Sequence, residues 1–323
     1  MADSTEGDTN IQNLGFLVLA LIALIAGLLI HSFIIGVNVT DWWKGRPVTP
    51  VDHIVTCLGV SRMGAQCADT LYYYVDALFL SHLDSPVTLL TIGSIYEFFT
   101  YANGWLTSLL SIVLCLKISN FHSRLFLYLR GMIAHRTVYF IGAAVLLSAF
   151  NCLIFLTISI AKVTKGGTYN KTIQNSSLNC TYSTSLYTYT IGVFFPLLFY
   201  CISSVLLFTS LYHHTTKMKM SSNLSINLET YYSVIKFVSF TFMFNTLYFF
   251  GHFVCVIYYY FYCAGLNWLY ISLDFLPVLH SSYLIYKTAK LRSQMSKVLQ
   301  NVMDFIFQRK DTETRENIEV VAL

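Results

Sequence analysis

Leu116-Lys117-Ile118-Ser119-Asn120-Phe121 lies where a long apolar run that begins near Val87 meets a basic loop carrying Arg124 and Arg130. An apolar segment of that length closing on lysine and arginine reads as a membrane helix arriving at its cytoplasmic end. Trp105 stands eleven residues upstream, inside the same run.

Working outward, the same type of run recurs. The chain of 323 residues is 55% apolar and only 11% charged, with a mean hydropathy of +0.59, which a soluble surface of this size does not tolerate. Apolar segments fall at about 13–38, 51–80, 86–118, 136–160, 185–212, 232–261 and 265–288. Each is long enough to cross hydrocarbon as a helix that satisfies its own backbone. Runs such as Ala143 to Phe155 do not alternate as barrel strands would. The expected architecture is therefore an all-α membrane protein, a single bundle of seven transmembrane helices with no appended soluble domain. Leu291, Met295, Val298, Leu299, Val302, Met303 and Ile306 then follow helical spacing, so 290–308 reads as an amphipathic helix along the inner leaflet and 309–323 as a cytoplasmic tail.

Positive charge sets the expected orientation. Seventeen of the 20 Lys and Arg residues, among them Lys44, Lys117, Arg130, Lys217, Lys236 and the tail cations, fall on one side; Lys162, Lys165 and Lys171 share the loop after span four. The amino terminus is thus expected outside and the tail inside. That external loop also holds the glycosylation acceptors Asn170, Asn175 and Asn179, whereas the triplets at Asn38 and Asn223 lie on the inner side and are set aside. Met1 to Asn10 is acidic and shows no cleavable leader, so span one is expected to act as the insertion signal. Cys57, Cys67, Cys115, Cys152 and Cys201 fall inside spans as small apolar residues, leaving Cys180, Cys255 and Cys263 near the oxidising side. A Cys180 to Cys263 bridge is one hypothesis. Pro86 to Gly93 has no cysteine, so the external bridge usual in rhodopsin-like receptors cannot form there.

Several short motifs now combine. Trp105 with Leu116 to Phe121 resembles the end of span three in the type 2 (bitter) taste receptors. Leu207-Phe-Thr-Ser210-Leu211, running into His214-Thr215 and Met218, is similar to that family's span-five Leu-x-x-Ser-Leu motif. Pro277 and His280-Ser281-Ser-Tyr-Leu284-Ile285 resemble its span-seven signature, Ser61-Arg62 its buried span-two arginine, and Asp41-Trp42 the end of its span one. The resemblance implies a G protein-coupled receptor whose partners are small bitter agonists and a heterotrimeric G protein containing gustducin or another inhibitory-type α subunit, while membrane lipids follow as partners from the basic inner ends and the amphipathic helix. Neither a cofactor nor nucleic acid is implied. The chain departs from the pattern at His31-Ser32, where Asn-Gly is usual, at Thr100 in place of asparagine, and at Lys287-Thr288-Ala289 in place of Gly-Asn-Pro. Asp-Arg-Tyr after span three and Asn-Pro-x-x-Tyr in span seven, the marks of rhodopsin-like receptors, are absent.

Intramembrane ionisable groups mark the candidate site. At about 1.5 Å per residue, Glu97 lies roughly 16 Å deep and Asp274 about 15 Å. An acid there either faces a cavity or finds a donor, so Glu97 is a ligand contact or a core group bonded to a tyrosine. Tyr96 with Thr100, and Glu97 with Tyr101, give adjacent faces of one helix. The resemblance places Tyr96 and Thr100 on a ligand cavity, and Tyr73 and Asp76 from span two with Tyr270 and Asp274 from span seven complete its walls. Asp69 has no assigned role. Deeper, His31, Arg62 and His280 fall at comparable depth on three helices, as a switch or as a static polar staple. Trp105, Ser210, Leu211 and Ser281 accompany Arg62 and His280 in that switch set. Lys117, Arg130, Lys217 and Lys236 are the candidate G protein contacts, although basic ends also suit anionic lipid. No phosphate loop, His-Glu-x-x-His run or nucleophile elbow argues for an enzyme. The alternatives are a vomeronasal type 1-like receptor and a small transporter or channel with Asp69, Glu97 and Asp274 as an ion path.

Overall fold

The computed structural model describes residues 2–77, 86–119, 124–166, 190–220, 225–262 and 266–321. Among these, the helices are α1 (Ala2–Trp43), α2 (Pro50–Ala77), α3 (Pro86–Ile118), α4 (Arg124–Gly166), α5 (Phe195–Met220), α6 (Ser225–Tyr262), α7 (Asn267–Lys287) and α8 (Ala289–Val321). Helices α1 to α7 each overlap one of the seven expected spans, of which residues 78–80, 185–189 and 265 lie outside the described residues. Asn170, Asn175, Asn179, Cys180 and Cys263 lie outside the described residues.

Local chemistry sets the helix ends. Gly45 adopts φ +64° after α1, and the Gly45 and Arg46 N–H groups bond back to Trp42 and Asp41 at 3.0 Å, a Schellman stop that needs glycine. Thr49 caps α2: its hydroxyl and N–H donate to Asp52 at 2.8 and 3.0 Å, the Asp52 N–H returns to Thr49 at 3.3 Å, and Pro50 fills the first helical position. A π-turn, Thr190–Phe194, precedes α5. Pro196 explains it, because a proline ring clashes with the carbonyl four residues back and the helix widens to let that carbonyl escape.

Five segments, Leu14–Trp43, Thr88–Ile118, His135–Ala161, Gly192–His213 and Tyr232–Tyr258, are long and apolar enough to cross a membrane by composition alone. Helices α2 and α7 are outside that set because they carry Asp52, Arg62, Asp69 and Asp76, and Asp274 and His280. Tyr73, Asp76, Tyr270 and Asp274 of the candidate ligand set lie on these two polar spans, and Tyr96, Glu97, Thr100 and Tyr101 lie on α3.

Three expectations about helix extent change. Arg124 and Arg130 lie on helix rather than loop, since residues 124–135 extend α4 backwards to a non-helical joint at Arg136 (φ −120°, ψ 20°). Lys236 likewise sits well inside α6. Helix α8 continues past residue 308 to Val321, through polar helix formers with no glycine or proline to stop it.

The chain divides into two units, Met1–His280 and Ser281–Leu323. In the first, α3 is the central element. Leu207 and Leu211 of α5 pack with Cys115 of α3 and Val238 of α6, flanked by Leu114, Ile118 and Phe237. The Leu-x-x-Ser-Leu motif is thus the α5 contribution to a three-helix apolar knot at the Lys117 end. Above it, Ser203 donates to Ser111 at 2.8 Å, Ser111 and Ser204 lie 3.0 Å apart, and Ser108 donates to the Pro196 carbonyl. Asn38 is buried and donates to Thr56 at 3.0 Å, tying α1 to α2. In the second unit the Thr288 N–H reaches Leu284 and the Arg292 N–H reaches Thr288, both at 2.9 Å. The Lys287-Thr288-Ala289 departure therefore leaves a nearly continuous backbone between α7 and α8.

Candidate functional site

Arg62 organises the deeper polar layer. It is 4% exposed; its Nε donates to Asn103 Oδ1 at 3.2 Å, and its Nη1 lies 2.9 Å from His280 Nδ1. Tyr248 of α6 hydrogen-bonds Asn103. One guanidinium thereby joins α2, α3 and α7, with α6 attached through asparagine. His31 of α1 is fully buried within electrostatic reach of Arg62 and His280, and neither ring nitrogen has a hydrogen-bond partner. The three residues singled out by depth do converge, while Asn103 and Tyr248 were not legible beforehand. An asparagine two residues before Trp105 and one tyrosine among 23 carry no local mark.

A second layer lies two turns away along α2, about 10 Å on. Asp69 and Asp274 hydrogen-bond each other through their side chains. Tyr73 and Tyr96 are within electrostatic reach of both acids and of Tyr270. Gln66, one turn below Asp69 and 2% exposed, donates from Nε2 to the Asp274 carbonyl at 2.9 Å. His252 stacks edge-on with Tyr248 at 4.5 Å and with Tyr270 at 6.1 Å. Thr100, a turn below Tyr96 on the same α3 face, is 8% exposed and its hydroxyl has no partner. Of the expected cavity residues, Tyr73, Tyr96, Tyr270 and Asp274 thus share one region with the unassigned Asp69.

Glu97 faces elsewhere. Its carboxyl accepts a hydrogen bond from the Tyr101 hydroxyl, and Cys152 of α4 is its electrostatic neighbour. Tyr101 is buried with Val193 and Phe249. One residue along a helix rotates the side chain by about 100°, enough to separate Glu97 from the Tyr96 face. Asp76 lies on α2 and Lys217 on α5. Trp105 is half-buried, its ring 6.3 Å from Phe199 and its Nε1 without a partner. Ser210 is half-buried, Leu211 lies in the apolar knot, and Ser281 opens the second unit. Lys117, Arg130 and Lys236 are exposed.

A cavity of about 20 Å³, room for one water, lies between α3, α5 and α6, lined by Thr107, Ser111, Tyr200, Ser204, Thr241 and Asn245. The Tyr200 hydroxyl donates to the Thr241 carbonyl at 3.0 Å and accepts from Asn245 at 3.2 Å.

The family model described as taste receptor protein (TAS2R) matches residues 9–303. The chain belongs to the TAS2R family. It is similar to the human taste receptor type 2 member 2, at 26% identity over 226 residues, 69% of this chain and 75% of that one. Human taste receptor type 2 member 14 is 30% identical over 229 residues, 67% of this chain and 68% of its own. Rat member 125 is 28% identical over 237 residues, 70% and 76%. The chain is accordingly a multi-pass, seven-helix G protein-coupled receptor of the bitter taste class and not an enzyme. The vomeronasal and transporter alternatives fall away. Within a TAS2R receptor, the knot around Leu207 and Leu211 and the Arg62 layer give physical content to motifs that the sequence displays only as letters.

Proposed function

We propose that this receptor binds small bitter compounds between α2, α3, α6 and α7 and passes the signal to a heterotrimeric G protein, gustducin or another with an inhibitory-type α subunit. It sits in the plasma membrane with its amino terminus outside, in line with the charge asymmetry of its loops. The observation that carries the ligand reading is the convergence of Tyr73, Tyr96 and Tyr270 on Asp69 and Asp274. Tyrosines supply apolar area with a hydroxyl for orientation, the chemistry of a small-molecule site. Asp76 lies on α2 nearer the outside, and Glu97 with Tyr101 lines the α4 side. Below, the Arg62 layer is the switch. His31 offers Arg62 a spare buried acceptor, so the guanidinium can exchange partners as the helices repack. Trp105, Ser210 and Leu211 extend the switch toward the basic inner ends, where Lys117, Arg130 and Lys236 meet the G protein. The apolar stripe of α8 rests on the inner leaflet, with Lys290 and Arg292 near anionic headgroups.

Cells expressing the receptor with a promiscuous G protein, challenged with a panel of bitter compounds, test this reading. Tyr96→Ala is expected to raise the half-maximal dose about tenfold, the loss of one buried aromatic contact. Silence across the panel despite surface delivery overturns the proposal. Asn170, Asn175 and Asn179 are expected to carry glycans. Each Asn→Gln variant should then increase gel mobility stepwise, and enzymatic deglycosylation should collapse all forms to one band. Unchanged mobility removes the glycosylation reading.

A further inference from the structure

Helix α8 carries more apolar surface than a place on the inner leaflet covers. From Val298 to Phe307, seven of the ten positions hold a large apolar side chain, and each of these is at least 45% exposed. At about 100° per residue the seven span about 200° of the helix circumference, from Phe305 at one edge to Phe307 at the other, with Ile306 in the middle. Gln300, Asn301 and Asp304 fill the remaining arc. A helix lying on a leaflet buries the half that faces the acyl chains and leaves the other half in water. With Ile306 pointing into the bilayer, Phe305 and Phe307 stand about 100° to either side of it, on the wet half. Charge frames the same run. Lys290, Arg292 and Lys297 precede it and Arg309 and Lys310 follow it, against the single acid Asp304 between 290 and 310.

We propose that residues 290–310 of α8 are the docking site for an acidic EF-hand calcium sensor, whose Ca2+-loaded form opens an apolar groove and closes it around the helix. A groove that wraps a helix covers more than half of its circumference, which the width of the apolar arc requires and a flat leaflet does not supply. Flexible methionines lining such a groove adapt to the mixed Val, Leu, Met and Phe side chains of the run. Carboxylates at the rim of the groove meet the cations at both ends of the run, and Asp304 lies in the polar arc that the groove leaves open. The inference rests on the cytoplasmic placement of α8 proposed above and adds a partner to it. Without calcium the leaflet holds α8; with calcium the sensor lifts it off, an exchange driven by the same cations.

The test uses the full-length receptor in nanodiscs of phosphatidylcholine and phosphatidylserine, so that anionic lipid competes for α8, with fluorescent calmodulin as the probe. Calmodulin is expected to bind one per receptor with a Kd of about 1 μM or tighter in Ca2+, and at least about a hundredfold more weakly in chelator. Replacing both edge residues, Phe305→Gln with Phe307→Gln, should weaken binding at least about tenfold, the loss of two groove anchors. Gln300→Ala, on the polar arc, is the control and should bind within about threefold of wild type. Absence of binding in Ca2+ overturns the proposal and leaves α8 to the leaflet alone. Equal binding in Ca2+ and chelator, or an unchanged Kd in the double variant, overturns it as well. The calcium dependence is read on the wild-type receptor and needs no variant. Because the assay contains no agonist, its failure leaves the receptor reading standing, and silence on the bitter panel with calmodulin binding intact overturns the receptor reading alone.

Discussion

Arg62→Ala is expected to abolish agonist-evoked signalling. The guanidinium holds Asn103 of α3 at 3.2 Å and His280 of α7 at 2.9 Å, and Asn103 in turn holds Tyr248 of α6. Deleting it strips two buried groups of a charged partner at about 1–3 kcal/mol each, and the side chain's volume is lost besides. Four helices then lose their common tie. Arg62→Lys keeps the charge but not the planar fork, so it should retain part of the response. Maximal G protein activation is to be read against surface staining in the same cells. A receptor delivered normally but silent shows that the layer switches. Reduced delivery with a normal response per surface receptor shows a static staple instead. Wild-type behaviour in both measurements removes any special role for Arg62.

Gly192→Val is expected to prevent most of the receptor from reaching the surface. Gly192 lies in the π-turn ahead of Pro196, and a Cβ there would overlap the Tyr101 ring and the Asn151 carboxamide. Neither can yield, since Tyr101 is 3% and Asn151 1% exposed. The Gly192 carbonyl is also close to Gly104, where an added Cβ would sit 3.5 Å from it, so α3 and the start of α5 meet backbone to backbone. Overpacking at such a place costs about 3 kcal/mol, a large part of a protein's total stability. Displacing Tyr101 would further release Glu97. Gly142→Val is the control, because nothing stands within 4 Å of a Cβ at that position. An epitope-tagged receptor stained on intact and permeabilised cells reports delivery against synthesis. Equal surface fractions for Gly192→Val and Gly142→Val would show that the α3–α5 contact is softer than its geometry.

The legible part of the site follows a simple rule. Arg62, His31 and His280 were recognisable as neighbours because intramembrane polar residues at equal depth have only each other as partners. Tyr96 and Thr100 were recognisable as one face because helical spacing is local. Asn103, Tyr248 and Gln66 were not, since nothing along the chain distinguishes the polar side chain that completes a network from one facing solvent or lipid. Asp69 was visible as an acid but not as the partner of Asp274.

Seven spans, their approximate bounds, the family and the charge asymmetry all follow from one-dimensional patterns: run length, composition and short motifs, each readable without knowing any neighbour. Rotation of each helix about its axis does not follow from them. A difference of one position, about 100°, sends Tyr96 to the aspartate pair and Glu97 to α4, and only packing between helices sets that rotation. Tertiary structure therefore decided which neighbour each buried acid meets, Asp69 with Asp274 between α2 and α7 and Glu97 with Tyr101 on the α4 side.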